Sequence, residues 1–278
     1  ASITLGDMAG ATGVTLSSGG NLIRLNGSVT LTGGAIALTA GAGAITAEST
    51  INGGQNLALN ATGVTTLRGL VGGTTPLTSL TTDATGGTAV DGGGVTTTAA
   101  QSFGDNVTVG VLDATFGGVT ITFSGTVDGA QGVTVNDSGV TTFAMTVGAT
   151  TPLNSLLTDA GGTTAVNGDS VRTSGTQIYN DNVTFDGGTT FTGTTVTFNE
   201  DATGAGNTLT ITGDAVFGDA ANDAITSSTL LVTGTANVTS GTVTTAGATQ
   251  TYNQDVTLSS DVNFTGSTVN FDEDVTGG

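Results

Sequence analysis

Apolar and small polar residues alternate along the chain in short bursts separated by glycine. Between Ala1 and Thr62 the bursts are ITL at Ile3, VTL at Val14, LIRL at Leu22, VTL at Val29, AIAL at Ala35, AIT at Ala44 and LAL at Leu57. An alternation of period two puts one row of side chains on each face of a strand, so each burst predicts a strand with one buried row. The bursts are too short for a stable hairpin sheet and follow one another every six to ten positions or so, about one side of a coiled solenoid. No stretch predicts a helix, because glycine interrupts every run of helix formers.

From Gly63 onward the pattern is organised by a long repeat. The stretch Gly63 to Val109 matches the stretch Gly139 to Phe185 without insertion: Thr74 maps to Thr150, Pro76 to Pro152, Asp83 to Asp159, Gln101 to Gln177 and Asp105 to Asp181, each at an offset of 76. A looser third copy follows at an offset of 73, TQIYNDNVTF at Thr176 returning as TQTYNQDVTL at Thr249 and VTFNEDATGAG at Val196 as VNFDEDVTGG at Val269. A fixed long period signals repeat architecture. Divided by four, 76 gives coils of about 19 residues, close to one turn of a three-sided parallel β-helix. Asp91-Gly92, Asp128-Gly129, Asn167-Gly168 and Asp186-Gly187 mark turns, although such pairs also mark hairpins.

The expected fold is all-β: an elongated right-handed parallel β-helix, or β-solenoid, with about 19 to 20 residues per coil. Its expected parts are N-terminal coils over 1–62, repeat 1 over 63–138, repeat 2 over 139–214 and a partial, diverged repeat 3 over 215–278, all in one continuous solenoid.

Composition narrows the picture. Forty-seven glycines with only 2 prolines and no period of three exclude collagen. The 4% aromatic content predicts thin aliphatic cores. Three arginines against 22 acidic residues give a net charge of −19, which repels nucleic-acid phosphates and anionic lipid. So high a charge also favours disorder, but mean hydropathy of +0.21 and the alternating Val, Thr, Ile and Phe outweigh it. There is no cysteine, hence no disulfide and no thiolate metal site, and no apolar run of the roughly twenty residues that span a bilayer. The opening ASITLGDM has neither an initiator Met nor a signal peptide, which suits a chain that has lost a leader or is a segment of something longer.

The acidic clusters Glu200-Asp201 and Asp272-Glu273-Asp274 recur at one point of successive repeats, with Asp181, Asp255, Asp219 and Asp223 near them in sequence. Oxygen-rich clusters suit calcium, so Glu200, Asp201, Asp272, Glu273 and Asp274 are candidate ligands; otherwise they are solvated corner residues. No other cofactor is expected. Paired carboxylates also serve polysaccharide-cleaving β-helices, but with no Trp, His or Lys the agents for sugar stacking and proton transfer are few, and the expectation is of no enzyme. Thr-x-Thr runs at Thr120, Thr195, Thr208 and Thr210 could order water as an ice-binding face does, against the ordinary preference of β-branched residues for strands. Seven Asn-x-Ser/Thr sequons are what a Thr-rich sequence supplies by chance, and the absence of Lys excludes isopeptide crosslinks.

TTPLTSLTTDATGGTAV, GGGVTTTAAQSFGDNVTV and SVRTSGTQIYNDNVTF resemble the repeats of large bacterial secreted adhesins of the filamentous haemagglutinin and autotransporter type. The resemblance covers about residues 57 to 278 and lies in the style of the repeats. It implies a right-handed parallel β-helix, an extracellular or cell-surface location and a role in adhesion or a biofilm matrix, with a host-cell or glycan ligand. The family's N-terminal secretion domain and C-terminal translocator have no counterpart in these residues. The leading expectation is therefore a secreted, non-catalytic structural or adhesive fibre protein, with a carbohydrate-binding or carbohydrate-cleaving β-helix and an ice-binding solenoid as alternatives. Neither end of the sequence looks like a solenoid cap, so a complete subunit is expected to stack Val269 to Val275 on Ile3 to Leu5 of a second copy, more strongly with calcium or salt.

Overall fold

The structure is a computed structural model that describes residues 2–5, 13–204 and 206–277, the first four by their backbone alone. Every regular element among them is a β-strand, and the strand pairings are parallel. Parallel pairing forbids hairpins, so consecutive strands turn corners into different sheets and each strand lies on one from the coil before. That is a β-solenoid. It divides into two compact units, Ala1–Thr141 and Thr142–Gly278.

In the first unit, one sheet stacks Gly13–Ser17, Ala35–Gly41, Asn56–Ala61, Ser79–Thr82, Gln101–Phe103 and Ile121–Phe123. A second stacks Ile23–Leu25, Ile45–Ala47, Val64–Leu67, Gly87–Val90, Asn106–Val109 and Val127–Asp128. The third side carries a buried apolar column through Val29, Ile51, Val71, Val95, Phe116 and Val135. In the second unit, Thr163–Val166, Asn182–Phe185, Ala202–Thr203, Ala224–Ser227, Thr242–Thr245 and Asn263–Thr265 form one sheet. The long strands Thr189–Phe198 and Thr208–Phe217 each run round a corner, pairing with Ser170–Arg172 or Thr229–Val232 by one half and with Gln177–Tyr179 or Ala236–Val238 by the other.

The bursts read from the sequence at Val14, Leu22, Val29, Ala35, Ala44 and Leu57 all coincide with strands. Their alternation is realised as read: Ile23 and Leu25 are buried while Arg24 between them is exposed. Each aliphatic side chain so buried contributes roughly 1.5–3 kcal/mol.

Coil length varies. Thr88 lies under Val107 at an offset of 19 and Val107 under Val127 at 20, but Ile225 lies under Val243 at 18 and Val71 under Val95 at 24. The long coil that begins at Val71 carries the exposed loop around Thr74 and Thr75, whose amides are both accepted by Asn52 Oδ1 from the coil below, at 2.9 and 3.2 Å.

This variation corrects the division of the repeat into four coils. The column through Thr65, Thr88 and Val107 reaches Val127, and Thr141, the counterpart of Thr65 in the next copy, follows Val127 too soon to close a coil. The second unit shows the consequence directly: Gln177 stands in the column Gln177, Val196, Ala215, Ala236, Val256, whereas its third-copy counterpart Gln250 stands over Leu230 in a different column. One copy spans eleven strand positions, about three and two-thirds coils, so successive copies begin one face apart.

The Asp-Gly and Asn-Gly corners are of two kinds. Gly129 and Gly187 have φ of 140° and 67°, the left-handed region expected of them. Gly92 and Gly168 do not; they are small because the coil below passes too close, a Cβ there lying 2.4 Å from the backbone of Gly69 and 2.3 Å from Met145 O.

The cores are more aromatic than composition suggested, because the few rings gather inside. Phe103 stacks on Phe123 at 5.2 Å with Phe116 edge-on to both, and the same triplet recurs as Tyr179, Phe198 and Phe191 and as Tyr252, Phe271 and Phe264. Beside each triplet a buried glutamine joins two coils. Gln177 Nε2 donates to Val171 O at 3.2 Å and to Thr192 O at 2.8 Å, while its Oε1 accepts from the Tyr179 hydroxyl at 3.1 Å. Gln250 and Tyr252 repeat this arrangement. In the first copy the partner is Phe103, and Gln101 Oε1 is buried with no hydrogen-bond partner among the described residues. Phe103→Tyr is therefore expected to stabilise by about 1 kcal/mol and Tyr179→Phe to destabilise by about 1–3 kcal/mol, read by urea denaturation. Shifts of the same sign in both variants would contradict the pairing of hydroxyl and amide.

Candidate functional site

Several of the acidic residues join one coil to another. Where a corner interrupts the ladder, a backbone N–H loses its strand partner and needs another acceptor. Asp201 Oδ1 accepts from Ala224 N at 2.8 Å, Asp214 Oδ1 from Thr235 N at 2.9 Å, Asp83 Oδ1 from Ala61 N at 3.1 Å and Asp255 Oδ1 from Asp274 N at 3.3 Å, each across one coil. Asp223 is buried and takes the amides of Asp219 and Ala220 on Oδ2 at 3.0 and 2.8 Å. Asn106 and Asn182, both in sequons, do the same for Thr126 N and Asp201 N.

The structure separates the five candidate calcium ligands. Glu200 and Asp201 precede Ala202–Thr203, whereas Asp272, Glu273 and Asp274 precede Val275–Gly277 in a different sheet, because the copies begin one face apart. Asp272 to Asp274 are exposed. Glu200 has Asp223, Asp219 and Asp201 around it; partial burial and then these three like charges push its carboxyl above the usual range. Among the described residues no three acidic side chains are grouped so as to hold a metal ion.

Among the described residues Asp105, Asp137, Asp181 and Asp223 are buried, and two of them, Asp105 and Asp181, are each held by a matched pair of threonines. Thr82 Oγ1 donates to Asp105 Oδ1 at 2.8 Å, and Thr88 Oγ1 lies 2.9 and 3.0 Å from its two oxygens. Thr158, Thr164 and Asp181 reproduce the group in the second copy. Burial raises the carboxyl of Asp105, with Thr82 and Thr88 working against the shift and Asp83 adding to it. A carboxyl raised on folding stabilises the fold at pH below its unfolded value of about 4 and loses that contribution as pH rises through the folded value. The melting temperature is expected to climb on acidification from about pH 7 toward about pH 4, and to climb less in Asp105→Asn. Glu48 has the opposite sign, held low by Arg68 and Arg24, but lies on the surface, where such pairs count for little. Identical pH profiles for the two proteins would contradict the buried carboxylate.

The outer surface is rich in hydroxyls. Thr184, Thr203, Thr226, Thr244 and Thr265 stand in one outward file over five coils of the second unit, a regularity the sequence hides because their spacings are 19, 23, 18 and 21. The flanking file, Asn182, Asp201, Ala224, Thr242 and Asn263, is mixed. On the first unit a shallow depression of about 400 Å³ is floored by Ala37 and Ala58 and edged by Asn56, Ser79, Thr15 and Thr81. Its lining offers neutral hydrogen-bonding groups and no charge.

No family model matches the chain, and no curated protein or solved structure matches it either.

Proposed function

We propose that this chain is a non-catalytic structural or adhesive element of an extracellular filament or matrix, as its resemblance to secreted adhesin repeats implies. The observation that carries the reading is the use made of the polar side chains. Asp201, Asp214, Asp255 and Asn106 are committed to backbone amides of the next coil, and Asp105, Asp181, Gln177 and Gln250 are buried within coils. What faces outward is mainly threonine, serine and asparagine on parallel strands. Antibody staining of intact, unpermeabilised source cells is expected to label the surface or surrounding matrix. Label confined to lysed cells would overturn the reading, and sugar released from polysaccharides would favour the cleaving alternative.

Assembly belongs to the same proposal. The coil formed by Asn263–Thr265, Thr268–Phe271 and Val275–Gly277 is paired on one side, with Phe264 and Phe271 half-buried and Val275 44% exposed. We read it as a place for one further coil, from continuing chain or from a second copy. Of the partner surface expected at Ile3 to Leu5, the side chains lie outside the described residues. Filaments of the purified chain in electron microscopy, denser with calcium or salt, indicate a second copy; short particles under all conditions exclude it.

The five-threonine file favours ice binding as a second reading. Rigid β-branched side chains repeated about every 4.8 Å along parallel strands form an ordered hydroxyl and methyl array. Thermal hysteresis would support it, and its absence would remove it.

A further inference from the structure

The chain has only three cationic side chains. Two share one glutamate: Arg24 Nη2 lies 2.7 Å from Glu48 Oε1, and Arg68 Nη1 2.9 Å from Oε2. The third, Arg172, is exposed and has no ion pair or side-chain hydrogen bond among the described residues. Yet every acidic residue of the chain except Asp7 and Glu48 lies between Asp83 and Gly278, a stretch with no other cation. A guanidinium in such company without a carboxylate is an unspent set of five donors in a fork that fits a carboxylate.

Its surroundings are ordered. Ser170, Thr190 and Thr210 form one outward file over three coils, and Arg172, Thr192 and Thr212 form the file beside it. Beneath them Val171, Phe191 and Ile211 are buried, which fixes the strands. The result is a patch two files wide and three coils long, about 4.8 Å between strands and about 6.6 Å between files. It holds five hydroxyls with no protein partner among the described residues and no carboxylate of its own. The nearest acid in sequence, Asp169, is exposed and makes no ion pair with Arg172. The first copy lacks the patch: the counterparts of Arg172 and Ser170 there are Thr96 and Gly94.

We propose that this face of the second unit binds an oligosaccharide ending in a single carboxylated sugar. Arg172 takes the carboxylate, and the hydroxyls of Ser170, Thr190, Thr192, Thr210 and Thr212 take the sugar's hydroxyls. One carboxylate at contact distance is recognised locally, since charges beyond about 8 Å are screened at physiological salt. A polymer charged at every residue is repelled by the surrounding acids, so the site selects one anionic group rather than a polyanion. This rests on the adhesive reading above and names the ligand class for it.

The test is calorimetric titration of the intact chain with 3′-sialyllactose, lactose and polygalacturonate, repeated on Arg172→Gln. That variant removes an exposed, unpaired group and is expected to melt like the parent. Binding is expected for sialyllactose alone and is expected to weaken at least about tenfold in the variant, as loss of a charge-assisted bond does. No binding up to about 10 mM, or equal binding by both proteins, overturns the site. Attachment of the labelled chain to sialylated cells is read in parallel. Attachment that survives Arg172→Gln removes the site and keeps the adhesive reading, whereas sialyllactose binding without any attachment keeps the site and removes adhesion.

Discussion

Phe191→Ala is expected to cost about 3–5 kcal/mol, among the largest losses available from one substitution in this chain. Phe191 is fully buried, edge-on to Tyr179 at 5.7 Å and to Phe198 at 5.2 Å, and 6.4 Å from Phe185. Truncation leaves a void lined by three rings that stacked parallel backbones hold in place. The interior is therefore slow to collapse onto it, and edge-to-face contacts worth about 0.5–1.5 kcal/mol each are lost as well. Urea denaturation gives the measurement. Leu112→Ala serves as the contrast: that side chain is 54% exposed, and the change is expected to stay within about 0.5 kcal/mol. A Phe191→Ala loss below about 1 kcal/mol would mean that the ring is not packed as described.

Gly72→Ala and Gly148→Ala are each expected to cost about 3 kcal/mol. These glycines hold equivalent positions in the first two copies and share one geometry, with φ of 74° and 67° and a Cβ position 2.1 Å from Thr96 O and 2.0 Å from Arg172 O. The left-handed backbone alone costs an L-residue about 1–2 kcal/mol. The rest comes from pushing away a strand of the next coil, because the obstructing atom is backbone and cannot rotate aside. Gly247→Ala separates the two contributions. Its φ is 74° with nothing within 4 Å of the added carbon, so only the conformational cost of about 1–2 kcal/mol is expected there. Equal losses at Gly72, Gly148 and Gly247 would contradict the close approach between coils.

The strands and the long repeat could be read because both are local signals: an apolar residue at every second position, and identity at a fixed offset. Parallel pairing could not be read from the corners, since Asp-Gly serves hairpins as well as solenoids and here does two jobs, conformational at Gly129 and steric at Gly92. The coil count of the repeat was hidden by unequal coils, because a loop such as that at Thr74 lengthens one coil without disturbing the strands on either side. The same inequality scattered the file from Thr184 to Thr265 along the sequence. It also put Glu200-Asp201 and Asp272 to Asp274, equivalent in the repeat, at corners that lead into different sheets. Asp105 and Asp181 were visible as a matched pair, but whether they face inward depends on strand phase, which a one-residue slip reverses. The matched threonines Thr82 and Thr158, and Thr88 and Thr164, were the available clue. Nothing in the sequence showed that Arg172 lacks a partner; that needs the positions of all the surrounding carboxylates at once.

The fold rests most on the register by which unequal coils stack, and paired cysteines test it in a chain that has none of its own. Thr203 stands directly under Thr226, while a uniform coil of about 19 residues would place Asn222 there. Adjacent parallel strands put stacked Cα atoms about 4.8 Å apart, within the range a disulfide spans. Mild oxidation of Thr203→Cys/Thr226→Cys should form the intramolecular crosslink nearly completely and that of Thr203→Cys/Asn222→Cys should not; efficient closure of the second pair with failure of the first would contradict the structure.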